Sequence, residues 1–173
     1  MASTFSELKF ELIGTGDQAG NWGATTNDNI GTAIEQAITG LGNPVFTTDG
    51  NLTITLADTV ALQTARALVL DTTSSVSLTA TRELIVPTIE KQYLVQNNTT
   101  GGQSITVKTS AGTGVTVPNG SKAHLYVDGT NVISAVSYLT DLGIGGTVKL
   151  TGAGASDYTP FVQTFSSAVT NYN

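Results

Sequence analysis

The chain has 173 residues with a formal net charge of −6, thirteen Asp and Glu against seven Lys and Arg, which is room for one domain with its own core, or for one domain and a tail. So few scattered cations exclude a basic stripe for a nucleic-acid backbone. Charged residues make up only 12%, there are thirty Thr and no Cys, so the surface is built of hydroxyls and amides, and neither a disulfide nor a thiolate metal site holds the fold.

The opening Met1-Ala2-Ser3-Thr4-Phe5-Ser6-Glu7 lacks the basic and apolar regions of a secretory signal, and no run reaches the ~18 apolar residues of a membrane span. A soluble protein without membrane attachment is expected. From Glu7 to Ile13 the chain alternates, with Leu8, Phe10 and Leu12 on one side and Glu7, Lys9 and Glu11 on the other, the period of a half-buried strand. Then comes a loop with glycines at 14, 16, 20 and 23 and the only Trp, Trp22. Thr25 or Thr26 is expected to cap a helix with apolar positions Ile30, Ile34, Ala37, Ile38 and Leu41, stopped near Gly40.

From Asn51 onward short alternating runs are separated by turn chemistry: Leu52, Ile54 and Leu56; Val76, Leu78 and Ala80; Ile105 and Val107; Val115 and Val117; Leu125 and Val127; Val132 and Ile133. Asp49-Gly50, Asn119-Gly120 and Asp128-Gly129 are hairpin dipeptides, because Gly accepts the positive φ of tight turns. Eight or nine strands are expected after the helix. The class is mainly β, an antiparallel sandwich or barrel-like domain over 1–139 with one N-terminal helix. Arg66-Ala67-Leu68-Val69-Leu70 and Arg82-Glu83-Leu84-Ile85-Val86 echo each other as two similar strands, with no solenoid period. Residues 140–173 turn rich in Gly, Thr, Ser and Asn and space out Tyr158, Phe161, Phe165 and Tyr172, as in an arm that orders on a neighbour or a final strand pair.

The candidate chemistry is thin. Gly14-Thr15-Gly16-Asp17-Gln18-Ala19-Gly20 sets its last glycine one residue too far for G-x-G-x-x-G, and a dinucleotide site needs several crossover helices where one is available. His124, the single histidine, falls on a strand facing away from Leu125 and Val127, and no G-x-S-x-G elbow raises a nucleophile. Glu7 and Glu11 share a strand face as an acid–base pair would, but Lys9 between them marks a solvated surface. Asp49 and Asp128 sit in turns that account for them, and the Asn51 and Asn98 sequons read as ordinary turn and strand residues. No enzyme, metal or cofactor is expected. Trp22 reads equally as the buried anchor of its loop or as an anchor for a partner, with glycines letting that partner's backbone approach.

Leu8 to Gly40, with G-D-Q-A-G-N-W-G-A-T-T-N at its centre, followed by Thr81 to Val136, with I-V-P-T-I-E-K-Q-Y, resembles a domain of structural proteins of tailed bacteriophages, marine ones especially. The resemblance covers about residues 5 to 138. It implies a non-enzymatic component of the virion surface, in the host cytoplasm during assembly. A compact β domain with two arms fits a capsid-decorating or cement protein, with a tail-fibre or adaptor subunit as the alternative and a carbohydrate-binding module as a second. The implied partners are other copies, with trimers common in such proteins, and the major capsid protein or tail proteins; the interface residues expected are Asp17, Gln18, Gly20, Asn21, Trp22, Gly23, Tyr158, Phe161 and Phe165.

Overall fold

The computed structural model describes residues 2–138, and the expected C-terminal arm, Tyr158, Phe161 and Phe165 included, lies outside them. The chain divides into two units, Met1–Tyr138 and Leu139–Asn173, and the described residues belong to the first.

As the composition implies, the unit is mainly β: two facing sheets with a helical segment before them and no closed barrel. A small hairpin of β1 (Thr4–Phe5) and β2 (Glu11–Leu12) comes first. It replaces the single strand expected over Glu7 to Ile13, because Lys9 takes φ +64° and the Lys9 amide bonds back to the Ser6 carbonyl, so residues 6–10 turn instead of pleating. The helical segment follows as α1 (Trp22–Asp28), a π-helical stretch (Asn29–Ile34) and α2 (Glu35–Thr39).

The sheets are built by winding. Strands β3 (Leu41–Gly42) and β4 (Val45–Phe46) start one sheet, β5 (Leu52–Thr53) starts the other, and β6 (Val69–Ser74), β7 (Arg82–Val86), β8 (Lys91–Asn97) and β9 (Ile105–Thr109) alternate between them. Each strand therefore pairs in parallel with the next strand of its own sheet: β3 and β4 with β6, β6 with β8, β5 with β7, and β7 with β9. Only at the end does the path reverse. Strand β10 (Gly114–Val117) returns antiparallel on β9, β11 (Lys122–Val127) on β8, and β12 (Val132–Ser134) on β11. The sandwich stands, with mixed sheets in place of antiparallel ones throughout.

Alternation along each strand fills the space between the sheets. Leu84 and Val86 of β7, Tyr93 and Val95 of β8, Ile105 and Val107 of β9, and Leu125 and Val127 of β11 all point inward and are fully buried. Asn97 ends the inward row of β8. Its amide donates to the carbonyls of Gln103 and Val117 at 3.0 Å each, and its side-chain oxygen accepts from the amide and hydroxyl of Thr99, so its polar valences are met inside the core.

Candidate functional site

Residues 14–23 were the strongest functional candidates in the sequence, and the structure divides them. Asp17 and Gln18 face inward along the loop. The Asp17 carboxylate accepts from the backbone and hydroxyl of Ser3 at 2.8 Å each and from the Gln18 amide at 3.0 Å, and these bonds hold its pKa below the ordinary carboxylate value. Gln18 adopts φ +59°, its carbonyl accepts from Asn21 and Trp22, and its side chain joins the Glu11 carboxylate to the Thr25 hydroxyl. These two residues start the helix and tie it to the hairpin. Gly16 and Gly20 supply the positive φ, +79° and +84°, that the loop path requires.

The helix therefore begins at Trp22, earlier than a cap at Thr25 or Thr26 would place it. Asn21 takes the N-cap position without a side-chain bond, Thr25 is buried against Gln18, and the Thr26 hydroxyl bonds the Trp22 carbonyl at 2.8 Å. Trp22 is 64% exposed, which removes the reading of it as a buried loop anchor. Asn21 and Gly20 beside it are exposed and Gly23 is half-buried.

The orientation of the helical segment reverses the amphipathic expectation. Its buried residues are Thr25, Ala33 and Gln36, whereas Ile30 and Ile38 are 57% and 61% exposed and Leu41 just after it 57%. Polar bonds to backbone, not apolar packing alone, fasten it. Asn29 bonds both ways with the Glu11 backbone, at 2.8 and 2.7 Å, and the Gln36 side-chain oxygen accepts the Gln63 amide at 3.0 Å. The π stretch matters for what is left outside. A π turn takes in more residues than an α turn, so positions spaced by four and eight drift less around the helix, and Trp22, Thr26, Ile30, Ile34 and Ile38 form one stripe. Beside it runs an open groove of about 400 Å3, whose lining includes Gly31, Glu35, Leu41, Gly42 and Leu62.

Two cations to which the sequence assigned no role, Arg66 fully buried and Lys91 half-buried, organise the other side of this region. Arg66 is fully buried in a 3-10 turn (Thr64–Arg66), and all five of its N–H donors reach backbone carbonyls: Leu8 and Lys9 of the hairpin, and Thr59, Val60 and Ala61 of the loop ahead of it, at 2.6 to 3.2 Å. No carboxylate is among its bonded partners. Lys91 donates to the carbonyls of Arg66 and Ala67 at 2.7 and 2.9 Å and lies 4.1 Å over the Tyr93 ring, while the Tyr93 hydroxyl donates to Ala65 at 2.7 Å. Burial first, and the nearby Arg66 charge second, lower the Lys91 pKa to about 8, and burial raises that of Tyr93 well above its usual 10. With every donor of Arg66 spent on the chain itself, this pair braces the fold instead of presenting an anion site. The signal in the sequence was an Arg next to an apolar run, Ala65 and Ala67 to Leu70; Lys91, between Glu90 and Gln92, carried none.

The remaining candidates are dispersed. His124 is exposed and bonds Gln92 at 2.9 Å, as a strand-surface histidine does. The turn at residues 6–10 abolishes the strand face that Glu7 and Glu11 were to share; Lys9 pairs instead with Asp58 at 2.8 Å, and Glu11 accepts from Gln18. Asp49 is held far below the usual carboxylate range, first by Arg82 at 2.8 Å and then by Thr79, and Asp128 is lowered by the amides of Asn131 and Thr130 in its turn. Asn51, just before β5, is bonded to Glu83 of β7, and Asn98, just after β8, to Asp71 of β6. Among the described residues no three His, Cys, Asp or Glu gather as a metal site, and no helix is long and apolar enough to cross a membrane.

No protein-family model, curated protein or solved structure matches the chain. What the site can do is therefore read from its own surface: an apolar stripe on a rigidly fastened helix, a groove beside it, and no convergent set of titratable groups among the described residues.

Proposed function

We propose that this chain is a non-enzymatic structural protein of a bacteriophage virion, most simply a capsid-decorating protein that works through protein–protein contacts on the particle surface. The observation that carries the reading is the outward stripe of Trp22, Ile30 and Ile38. Large apolar side chains held in solvent by a segment that is fastened through polar bonds form a contact surface. The low charge and the abundance of Thr favour close apposition to other protein surfaces, and the resemblance of Leu8–Gly40 and Thr81–Val136 to phage structural domains supplies the setting.

The reading is tested by quantitative mass spectrometry of purified particles. A head-decorating protein is present in hundreds of copies spread over the capsid. A copy number near a dozen, confined to the tail, replaces it with the tail-fibre or adaptor reading, and absence from particles overturns both. The carbohydrate-binding alternative is tested separately, and a glycan array without binding removes it.

A further inference from the structure

The exposed stripe and the groove next to it have shapes that answer each other. We propose that the helical segment Trp22–Thr39 forms a two-fold, antiparallel contact with the same segment of a second copy of this chain, centred on Ile30. In an antiparallel pair centred there, Ile30 meets Ile30, Thr26 meets Ile34, and Trp22 meets Ile38 at the end of the segment that borders the groove of Gly31, Leu41, Gly42 and Leu62. Each copy's Trp22 enters the other copy's groove. A surface that carries both a protruding side chain and a recess satisfies the self-complementarity that a two-fold contact demands.

Area favours a second copy as the occupant, and the charges of the segment do not oppose it. The charged side chains of the segment are Asp28 and Glu35, and the antiparallel register sets them opposite Thr32 and Thr25, so no acid faces an acid. A basic-rimmed partner is not needed to neutralise them. The outward parts of Trp22, Ile30, Ile38, Leu41 and Leu62 amount to roughly 600 Å2 per copy, which approaches the ~800 Å2 per partner of a standard specific interface. The drift that a purely α-helical segment would introduce across this length is reduced by the π stretch, which keeps Trp22 and Ile38 on the side of Ile30. A two-fold pair also differs from the trimer implied by the resemblance, and it stands independently of the virion reading.

The absence of cysteine from the chain makes the test direct. Sedimentation of the full chain is expected to show a dimer at micromolar concentration. Trp22→Ala and Ile38→Asp should each raise the dimer dissociation constant by at least about tenfold with an unchanged thermal melt. On mild oxidation Ile30→Cys should form a covalent dimer far faster than Lys122→Cys, which places an equally accessible thiol on β11. A mixture of Thr26→Cys and Ile34→Cys chains should cross-link to one another in preference to themselves. A monomer or a trimer by sedimentation, or Ile30→Cys dimers no faster than those of the Lys122→Cys control, overturns the proposal; particle mass spectrometry, which tests the virion reading, is unaffected by either result.

Discussion

Replacing Arg66 should do more damage than its place on a single helical turn indicates. Its guanidinium is the common bond of three pieces of chain: the hairpin through Leu8 and Lys9, the loop through Thr59, Val60 and Ala61, and the 3-10 turn that carries it into β6. Arg66→Met roughly preserves the length of the side chain and removes a buried charge, which is favourable in itself, but leaves five carbonyls without this donor. Two or three of them kept from water at about 1–2 kcal/mol each, set against the relieved desolvation, give a net loss of about 3 kcal/mol. Arg66→Lys keeps the charge with three donors in place of five and loses the planar fork, for a loss of about 2 kcal/mol. Urea unfolding reads both numbers, and hydrogen exchange reads their distribution: the amides of Ser6, Lys9 and Phe10 should lose protection before those of β6 and β8. Stability within about 0.5 kcal/mol of the parent for Arg66→Met, with hairpin protection intact, refutes the view that this residue ties the N-terminal hairpin to the sandwich.

Three further outcomes follow from the same structure. The unfolded chain keeps the Lys91 proton up to its usual 10.5 whereas the folded chain releases it from about 8, so stability should rise by about 2 kcal/mol between pH 8 and 10; above 10 the raised Tyr93 pKa acts in the opposite direction and the curve turns over. Thermal melts across this range check it, and Lys91→Met should remove the rise while a flat parent curve would contradict it. Gly101→Ala should lose about 2–4 kcal/mol in urea, because φ is +103° there and a Cβ would stand 2.2 Å from the Leu78 carbonyl oxygen. Asn29→Ala removes both bonds to the Glu11 backbone and should loosen the helical segment by about 1–2 kcal/mol, seen as faster exchange of the Glu11 and helical amides with little change at β8.

The inward residues of β9, β10 and β11 were legible in the sequence because alternation has a period of two whichever way the neighbouring strand runs. Direction was not. Asp128-Gly129 does close a hairpin, β11 to β12, with Gly129 at φ +86°, but Asp49-Gly50 lies on a crossing from β4 to β5 and Asn119-Gly120, with Gly120 at φ +74°, on a crossing from β10 to β11, each between sheets. The winding left no period to detect: β3 to β6 steps by 28 residues, Leu41 to Val69, β6 to β8 by 25, Val69 to Leu94, and β7 to β9 by 23, Arg82 to Ile105. The run Val76, Leu78 and Ala80 alternates, yet its only ladder contact is an isolated bridge from Ser77 to Thr100. The helix existed where its pattern placed it, but which side would be buried depended on Asn29 and Gln36 finding backbone partners in Glu11 and Gln63, contacts made across 18 and 27 residues that no local pattern records. Arg66, read as the start of a strand that in fact begins at Val69, kept its bracing role hidden for the same reason, since its five partners are carbonyls and carbonyls carry no residue identity.

The winding of β3 through β9 also has an architectural consequence. Each circuit lays one strand on each sheet and hands the chain on in the same direction, while the reversing strands β10 to β12 close one end of the stack. An additional circuit of about 25 residues, spliced between β7 and β8, would find a parallel neighbour on each side and leave the closing strands and the helical stripe as they are. Height is thus a countable variable in this architecture, and a taller or shorter version of the protein is reachable by duplication or loss of one turn of chain without redesign of either end.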